Sequence, residues 1–260
     1  MSVISDAFNY SADDHAAYEE IGYRFFDPFL SAAGLDTCRR ELDAMLAKLQ
    51  PGRSADEIFS AHQQERWLWE LATEPRLLDM IERQIGRDIV LWSSHLVCKA
   101  PHSGLAIPWH QDAPYWNVSG TLASGVWIAL DDIDADNGGM RILPRWHTKG
   151  QLPIETEEGQ LFSQQIAASA LPLDLPEQTV QYRMPAGGLA IHHTMIPHTS
   201  EPNASDRWRR VITFRYVAAD GTFGAKQYPD YRTGESFDRA FYLVRGKDLA
   251  GKGLKSSPFD

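Results

Sequence analysis

The chain has 260 residues, of which 43% are hydrophobic and 23% charged, with a formal net charge of −10 and a pI near 5.3. That length suits one large domain, and the acidic balance argues against a nucleic-acid binder, which presents a basic face. Two cysteines, Cys38 and Cys98, without metal-type spacing exclude a disulfide framework and a zinc knuckle, and no apolar run reaches the roughly 18 residues of a membrane span.

The opening "MSVISDAFNYSADD" lacks the basic and apolar regions of a secretory signal, so a cytoplasmic location is expected. The first ninety residues read as helical. Ser11 is an N-cap followed by Asp13 and Asp14 in the first turn. In "LDTCRRELDAMLAKLQPG", Leu35, Cys38, Leu42, Met45, Leu46 and Leu49 recur at three- and four-residue steps, and Pro51-Gly52 ends the pattern. "ERWLWELA" and "PRLLDMIERQIG" are further helices, the second stopped by Gly86.

After Gly86 the texture is that of strands. "DIVLWSSHLVCKAP" is β-branched and alternating; "TLASGVWIALDDI" is closed by the Asn137-Gly138 turn; "MRILP", two strands within "TVQYRMPAGGLAIHH", and "RWRRVITFRYVAA" follow. Many short strands without interleaved helices predict an antiparallel sandwich or barrel. Residues 149–177 form a polar stretch with three prolines, expected to be a lid or binding loop. The tail after Asp220 is rich in glycine and charge and is expected to pack only in part.

One stretch carries chemistry. In "PWHQDAPYW", His110 and Asp112 at i and i+2 on a strand face the same way, and Gln111 faces the other. Alone this is weak, since polar strand faces are common. A non-haem iron site needs two histidines and one carboxylate on one face of an octahedron, and "GGLAIHHTMIPHTSEPNASDRWRR" offers His192, His193 and His198 downstream. A co-substrate with a free carboxylate needs a cation, and the Arg207, Arg209 and Arg210 cluster supplies guanidinium forks that fit one.

On "WHQD", "VWIALDDIDADNGGMRILP" and "HHTMIPHTSEPNASDRWRR", residues 86–217 resemble the phytanoyl-CoA dioxygenase family of Fe(II)/2-oxoglutarate-dependent oxygenases. His198 followed by Ser200 and, eleven residues on, by Arg209 matches the family pattern. The resemblance implies His110, Asp112 and His198 as iron ligands, Arg209 and Ser200 as the clamp for 2-oxoglutarate, and Trp127 beside it. His95 would line the co-substrate site and donate to its proximal carboxylate; Arg66 is a looser candidate for a similar task. After Leu143-Pro144 the family carries small residues, whereas this chain has Arg145 and Trp146, which suggests a reshaped substrate side that receives an anionic group. Tyr115 and Trp116 are candidates for a substrate wall. Halogenating relatives lack the carboxylate ligand, so the presence of Asp112 favours hydroxylation.

Plainer readings attach to other residues. His192 and His193 face opposite ways on a strand, with packing the default role for both. Arg207 and Arg210 read as solvated or ion-paired. Lys99 reads as a surface residue or a carboxylate contact, and Asp131, Asp132, Asp134 and Asp136 read as a solvated turn.

The expected architecture is a single α+β domain, mainly β: a double-stranded β-helix (a cupin-like jelly roll) over residues 87–217, with N-terminal helices from 1–86 on one sheet and a C-terminal extension over 218–260. The expected activity is hydroxylation of an unactivated C–H bond in a small metabolite, using Fe(II), 2-oxoglutarate and O2 and releasing succinate and CO2. The alternatives are a non-catalytic cupin-like small-molecule-binding protein and a family member that performs desaturation or ring chemistry. No nucleic acid or membrane partner is expected, and the sequence leaves oligomeric state open, a homo-oligomer included.

Overall fold

The computed structural model of the chain describes residues 2–156 and 164–260. The four expected helices form: α1 (Ala12–Ile21), α2 (Ala32–Leu46), α3 (Arg66–Ala72) and α4 (Pro75–Ile85). The Ser11 hydroxyl accepts from the Asp14 amide while the Asp14 carboxylate accepts from the Ser11 amide, a reciprocal box that satisfies two orphan donors. α2 starts three residues earlier than its apolar pattern, because the Ser31 hydroxyl caps it at the Gly34 amide.

Eight strands make the jelly roll: β3 (Ile89–Leu96), β4 (Ile107–His110), β5 (Ala123–Ala129), β6 (Met140–Ile142), β7 (Val180–Gln181), β8 (Leu189–His192), β9 (His198–Ser200) and β10 (Val211–Ala218). Strands β8-β5-β10-β3 form the centre of a large antiparallel sheet, and β7-β6-β9-β4 form a smaller one. The chain passes from one sheet to the other between β3 and β4, β4 and β5, β5 and β6, β7 and β8, β8 and β9, and β9 and β10. That is the double-sheet arrangement.

The large sheet is wider than the sequence suggests. Within the stretch read as wholly helical, β1 (Tyr23–Phe26) pairs with β8 and β2 (Ile58–Phe59) pairs with β3. β2 is shorter than the window in which a period of two can be recognised, and β1, with the sequence YRFF, does not alternate. The C-terminal tail packs more than expected. Its strand β11 (Tyr242–Arg245) pairs with the outer part of β3, and Tyr228 and Tyr231 are buried. In the polar stretch at 149–177, Ile154–Thr156 pairs with Gln164–Ile166 as a hairpin; the part of that expected lid at 157–163 lies outside the described residues.

Every residue of β3 is buried, so the alternation read there separates two cores rather than core from solvent. On β5, Val126 and Ile128 pack into the helical core while Trp127 and Ala129 pack between the sheets. Strand β3 also changes phase. Val90 and Trp92 point to the inter-sheet side, but so do His95 and Val97. A register break opposite Arg215 and Tyr216 absorbs the extra residue, and such a bulge re-aims the side chains beyond it.

Candidate active site

A cavity of about 550 Å³ opens between the sheets. Its metal-binding corner rests on one strand pair: His110 at the end of β4 is the register partner of His198 at the start of β9. Directly opposite residues in an antiparallel pair project to the same face, and the two rings are 4.0 Å apart at their centroids. Asp112 reaches them differently from the expected strand geometry. The strand stops at His110, and Asp112 sits in helical backbone at the head of the 3-10 turn Ala113–Tyr115. One ligand atom from each of His110, Asp112 and His198 lies within 4.8 Å of the others, and this is the group of metal-ligating side chains found among the described residues.

The backbone fixes the tautomers. His110 Nδ1 lies 2.8 Å from the Pro108 carbonyl and His198 Nδ1 lies 3.0 Å from the Ile196 carbonyl. A carbonyl only accepts, so each Nδ1 carries the hydrogen and each Nε2 keeps a lone pair for a metal. Burial lowers the pKa of both rings. For Asp112 burial works toward the neutral acid, but the contact with His192 and the nearby His198 and Arg215 outweigh it and hold the carboxyl below the usual range. Two neutral imidazoles and one carboxylate are the donor set of a divalent-iron site with open positions.

Gln111 points away from this corner, as the sequence suggested. Its amide donates to the Gly150 and Met195 carbonyls at 2.9 and 2.7 Å and accepts from the Leu152 amide at 2.9 Å. His192, read as a packing residue, is at the site instead: its Nε2 is 3.6 Å from Asp112. His193 faces away and accepts from the Met195 amide.

The large sheet is the cavity floor, and its register orders the residues in two rows. Trp127, Thr213, His95 and Phe59 are successive partners across β5, β10, β3 and β2. Two residues along, His192, Gly125 and Arg215 are partners across β8, β5 and β10. Sequence reasoning passed over Arg215, Phe59, Trp92 and Tyr228, all of which line the cavity. The signal for Arg215 was present: it is the lone charge inside the apolar run "VITFRYVA" and shares the parity of Arg209.

Arg209 is 1% exposed. Its guanidinium donates to the Gly138 carbonyl at 3.1 Å and weakly to the Val97 carbonyl at 3.4 Å, its Nε has no partner, and its carbon is 5.8 Å from the Trp127 ring centre. Burial depresses its pKa to about 10. No carboxylate among the described residues pairs with it. Gly138 can offer that carbonyl because its backbone is left-handed (φ +76°), and a Cβ there would lie 2.5 Å from the Glu201 carbonyl. Ser200 lines the same wall and accepts from Lys99 Nζ at 2.9 Å, which leaves its own hydroxyl hydrogen free to donate. Lys99 is wholly buried, which corrects its surface reading, and burial lowers its pKa to about 7.

Four residues do not keep their expected roles. His95 lines the cavity, but its Nε2 hydrogen goes to the Asp56 carbonyl at 2.7 Å and burial lowers its pKa to about 3; its Nδ1 is therefore an acceptor, not a donor to a carboxylate. Arg145 is exposed and paired with Glu20 at 2.8 Å. Trp146 packs under the Lys149 ammonium. Neither is among the residues lining the cavity, because the chain turns outward after Pro144 through a left-handed Arg145 (φ +68°). Arg66 stacks on Phe259 away from the cavity. Tyr115 and Trp116 do line it: Tyr115 donates to the carbonyl of Gln164, which is paired with Thr156, and Trp116 stacks on Trp92 with centroids 5.3 Å apart. Arg207 and Arg210 are ion-paired with Asp134 and with Asp43 and Asp131, and the acidic run is a turn closed by Asn137.

A jelly roll with a His-Asp-His corner, two strand-borne histidines and a buried arginine beside it defines the class of non-haem oxygenase folds. The family model for phytanoyl-CoA dioxygenase (PhyH) matches residues 18–211, and the chain belongs to this family. The chain is 31% identical over 170 residues to a probable alpha-ketoglutarate-dependent hypophosphite dioxygenase of Stutzerimonas stutzeri, covering 63% of this chain and 58% of that one. It is 30% identical over 183 residues to phytanoyl-CoA dioxygenase domain-containing protein 1 of Mus musculus, covering 66% and 60%. The match thus spans about three fifths of these curated relatives. Among solved structures, the non-heme monooxygenase ThoJ superposes with a TM-score of 0.71 at 26% identity, covering 94% of this chain and 89% of that one. The carbocyclase SnoK superposes at 0.70 with 25% identity, covering 83% and 87%. The relatives are iron- and 2-oxoglutarate-dependent oxygenases that include hydroxylases and a carbocyclase. No helix among the described residues is long and apolar enough to cross a membrane.

Proposed function

We propose that the chain is an Fe(II)- and 2-oxoglutarate-dependent oxygenase that hydroxylates an unactivated C–H bond of a small organic metabolite, with succinate and CO2 as co-products. The observation that carries this reading is Arg209, a guanidinium buried in the cavity wall without a carboxylate partner. An uncompensated buried charge is costly, and a bound dicarboxylate would compensate it. The non-catalytic alternative, a cupin-like binding protein, gives no reason to keep this cation together with an intact His-Asp-His corner.

His110, Asp112 and His198 would hold the iron, their ring orientation set by the Pro108 and Ile196 carbonyls. Arg209 would take the far carboxylate of 2-oxoglutarate in a two-pronged hydrogen bond, with Ser200 donating beside it. Iron held there supplies the oxidising chemistry that couples decarboxylation of 2-oxoglutarate to oxidation of the substrate by O2. Trp127 walls the co-substrate side. Tyr115 and Trp116 wall the other side and exclude water from it. Asp112 would supply a protein oxygen to the metal, which supports hydroxylation over transfer of a halide. The cavity volume suits a small molecule.

The test is succinate release by the full chain with Fe(II), 2-oxoglutarate and a panel of metabolites. Asp112→Ala should abolish it; unchanged turnover in that variant would overturn the assignment.

A further inference from the structure

The second row of the cavity floor carries a cation, Arg215, whose charge helps keep Asp112 ionised but which is bonded to neither the metal corner nor the co-substrate clamp. Arg215 is half-buried in the cavity wall. Among the described residues its contact is with the Trp116 ring, 5.4 Å from its guanidinium carbon; no hydrogen bond or ion pair engages it. Arg207, Arg210, Arg232 and Arg245, by contrast, are each ion-paired. We propose that Arg215 anchors an anionic oxygen group of the substrate, so that the chain acts on a small organic acid whose apolar body lies along Trp116 and Tyr115.

Three features favour this, and the proposal rests on the oxygenase reading above. The first is position. Arg215 and His192 are both register partners of Gly125, so their backbones are about 10 Å apart across two strand spacings. His192 touches Asp112, which places Arg215 two strands away from the metal corner along the same row. Gly125 places no side chain between them, and the Trp116 ring packs over that position, 3.8 Å from where a Cβ would lie.

The second is preorganisation. Arg239 lies 3.9 Å over Trp92, Trp92 stacks on Trp116, and Trp116 packs against Arg215. A guanidinium held by its face keeps its edge N–H groups free for a planar anion.

The third is separation from the co-substrate clamp. Arg209 lies six residues earlier, just ahead of the same strand and about 20 Å away at the backbone, where it backs the Trp127–His95 row. Of the acidic lining residues, Asp56 lies beside that row, its backbone carbonyl taking the His95 hydrogen. The two cations therefore serve two different anions.

The experiment uses the full chain loaded anaerobically with Fe(II) and 2-oxoglutarate. Its visible charge-transfer absorption reports the iron–co-substrate chelate, and therefore the oxygenase reading, independently of substrate. Binding of matched pairs of aryl and alkyl carboxylic acids and their primary amides is then followed by quenching of tryptophan fluorescence. Acids are expected to bind at least tenfold tighter than their amides. Arg215→Gln should erase that preference, and Arg215→Lys should keep it at reduced affinity, with the chelate absorption intact in both. An amide that binds as tightly as its acid, a preference that survives Arg215→Gln, or a panel without any acid that binds would overturn the proposal. Loss of the chelate absorption in the wild-type chain would instead overturn the oxygenase reading.

Discussion

His110 and His198 are cross-strand partners whose rings approach to 4.0 Å because β4 and β9 are neighbours in the small sheet. The pairing commits both Nδ1 atoms to backbone carbonyls before any metal arrives. Replacing His198 with Ala should weaken Fe(II) or Mn(II) binding at least ~100-fold, beyond the 10–100-fold typical of losing an outer-shell partner. Calorimetric titration of the metal checks this, with circular dichroism to confirm that the fold is retained.

Arg209 sets stability against function. Arg209→Met removes a buried charge that has no carboxylate partner, so the ligand-free protein should be as stable as wild type or more so. Added 2-oxoglutarate should raise the melting temperature of metal-loaded wild type, since a ligand that binds only the folded state stabilises it, and should leave the variant unmoved. Thermal shift with and without 2-oxoglutarate reads both effects.

Lys99 should impose a pH dependence on stability. Its folded pKa of about 7 lies below the ordinary lysine value of 10.5, so between these values the unfolded chain binds more protons. Stability from this group is therefore complete above pH 10.5 and is lost as pH falls toward 7. The linkage slope is about 1.4 kcal/mol per pH unit. Lys99→Met lacks it, so wild type should gain stability relative to the variant at that rate from pH 7 upward in urea titrations.

Gln111 sits between two proposed metal ligands yet fastens loops. Its three hydrogen bonds join the backbone at Gly150, Leu152 and Met195. Gln111→Ala strands those buried groups and should cost about 2–4 kcal/mol, at roughly 1–3 for each group left unsatisfied and allowing for partial relaxation. Chemical denaturation measures the loss.

Arg145 is the control. Its partner Glu20 is exposed and their pairing is solvent-screened, so Arg145→Ala should change stability by less than about 0.5 kcal/mol. Substrate turnover should stay within about twofold of wild type. A large loss of turnover would return Arg145 to the substrate site.

Much of the candidate site was legible. The donor residues are rare types at telling separations, and the spacing from His198 to Ser200 and Arg209 survives because all three lie on or beside two successive strands, β9 and β10. Arg145 and Trp146 misled because a change from small to large residues says that a surface is different, not which way it faces. His192 was misjudged for a related reason: adjacent histidines on a strand face opposite sides, but the sequence does not say which side holds the cavity.

The sequence by itself determined what depends on near neighbours. Ser11 and Asp14 close their own box, Gly86 ends α4, and the Asn137-Gly138 turn forms where it is written, since each interaction spans only a few residues. Tertiary structure decided what depends on distant strands. The bulge at Trp92 and Ser93 turns His95 inward, the β4–β9 register brings His110 onto His198, and the row through Gly125 sets Arg215 across from His192. Shifting any strand by one residue would send its side chains to the opposite face. That register is chosen by packing between two buried cores, which no local stretch of this chain contains.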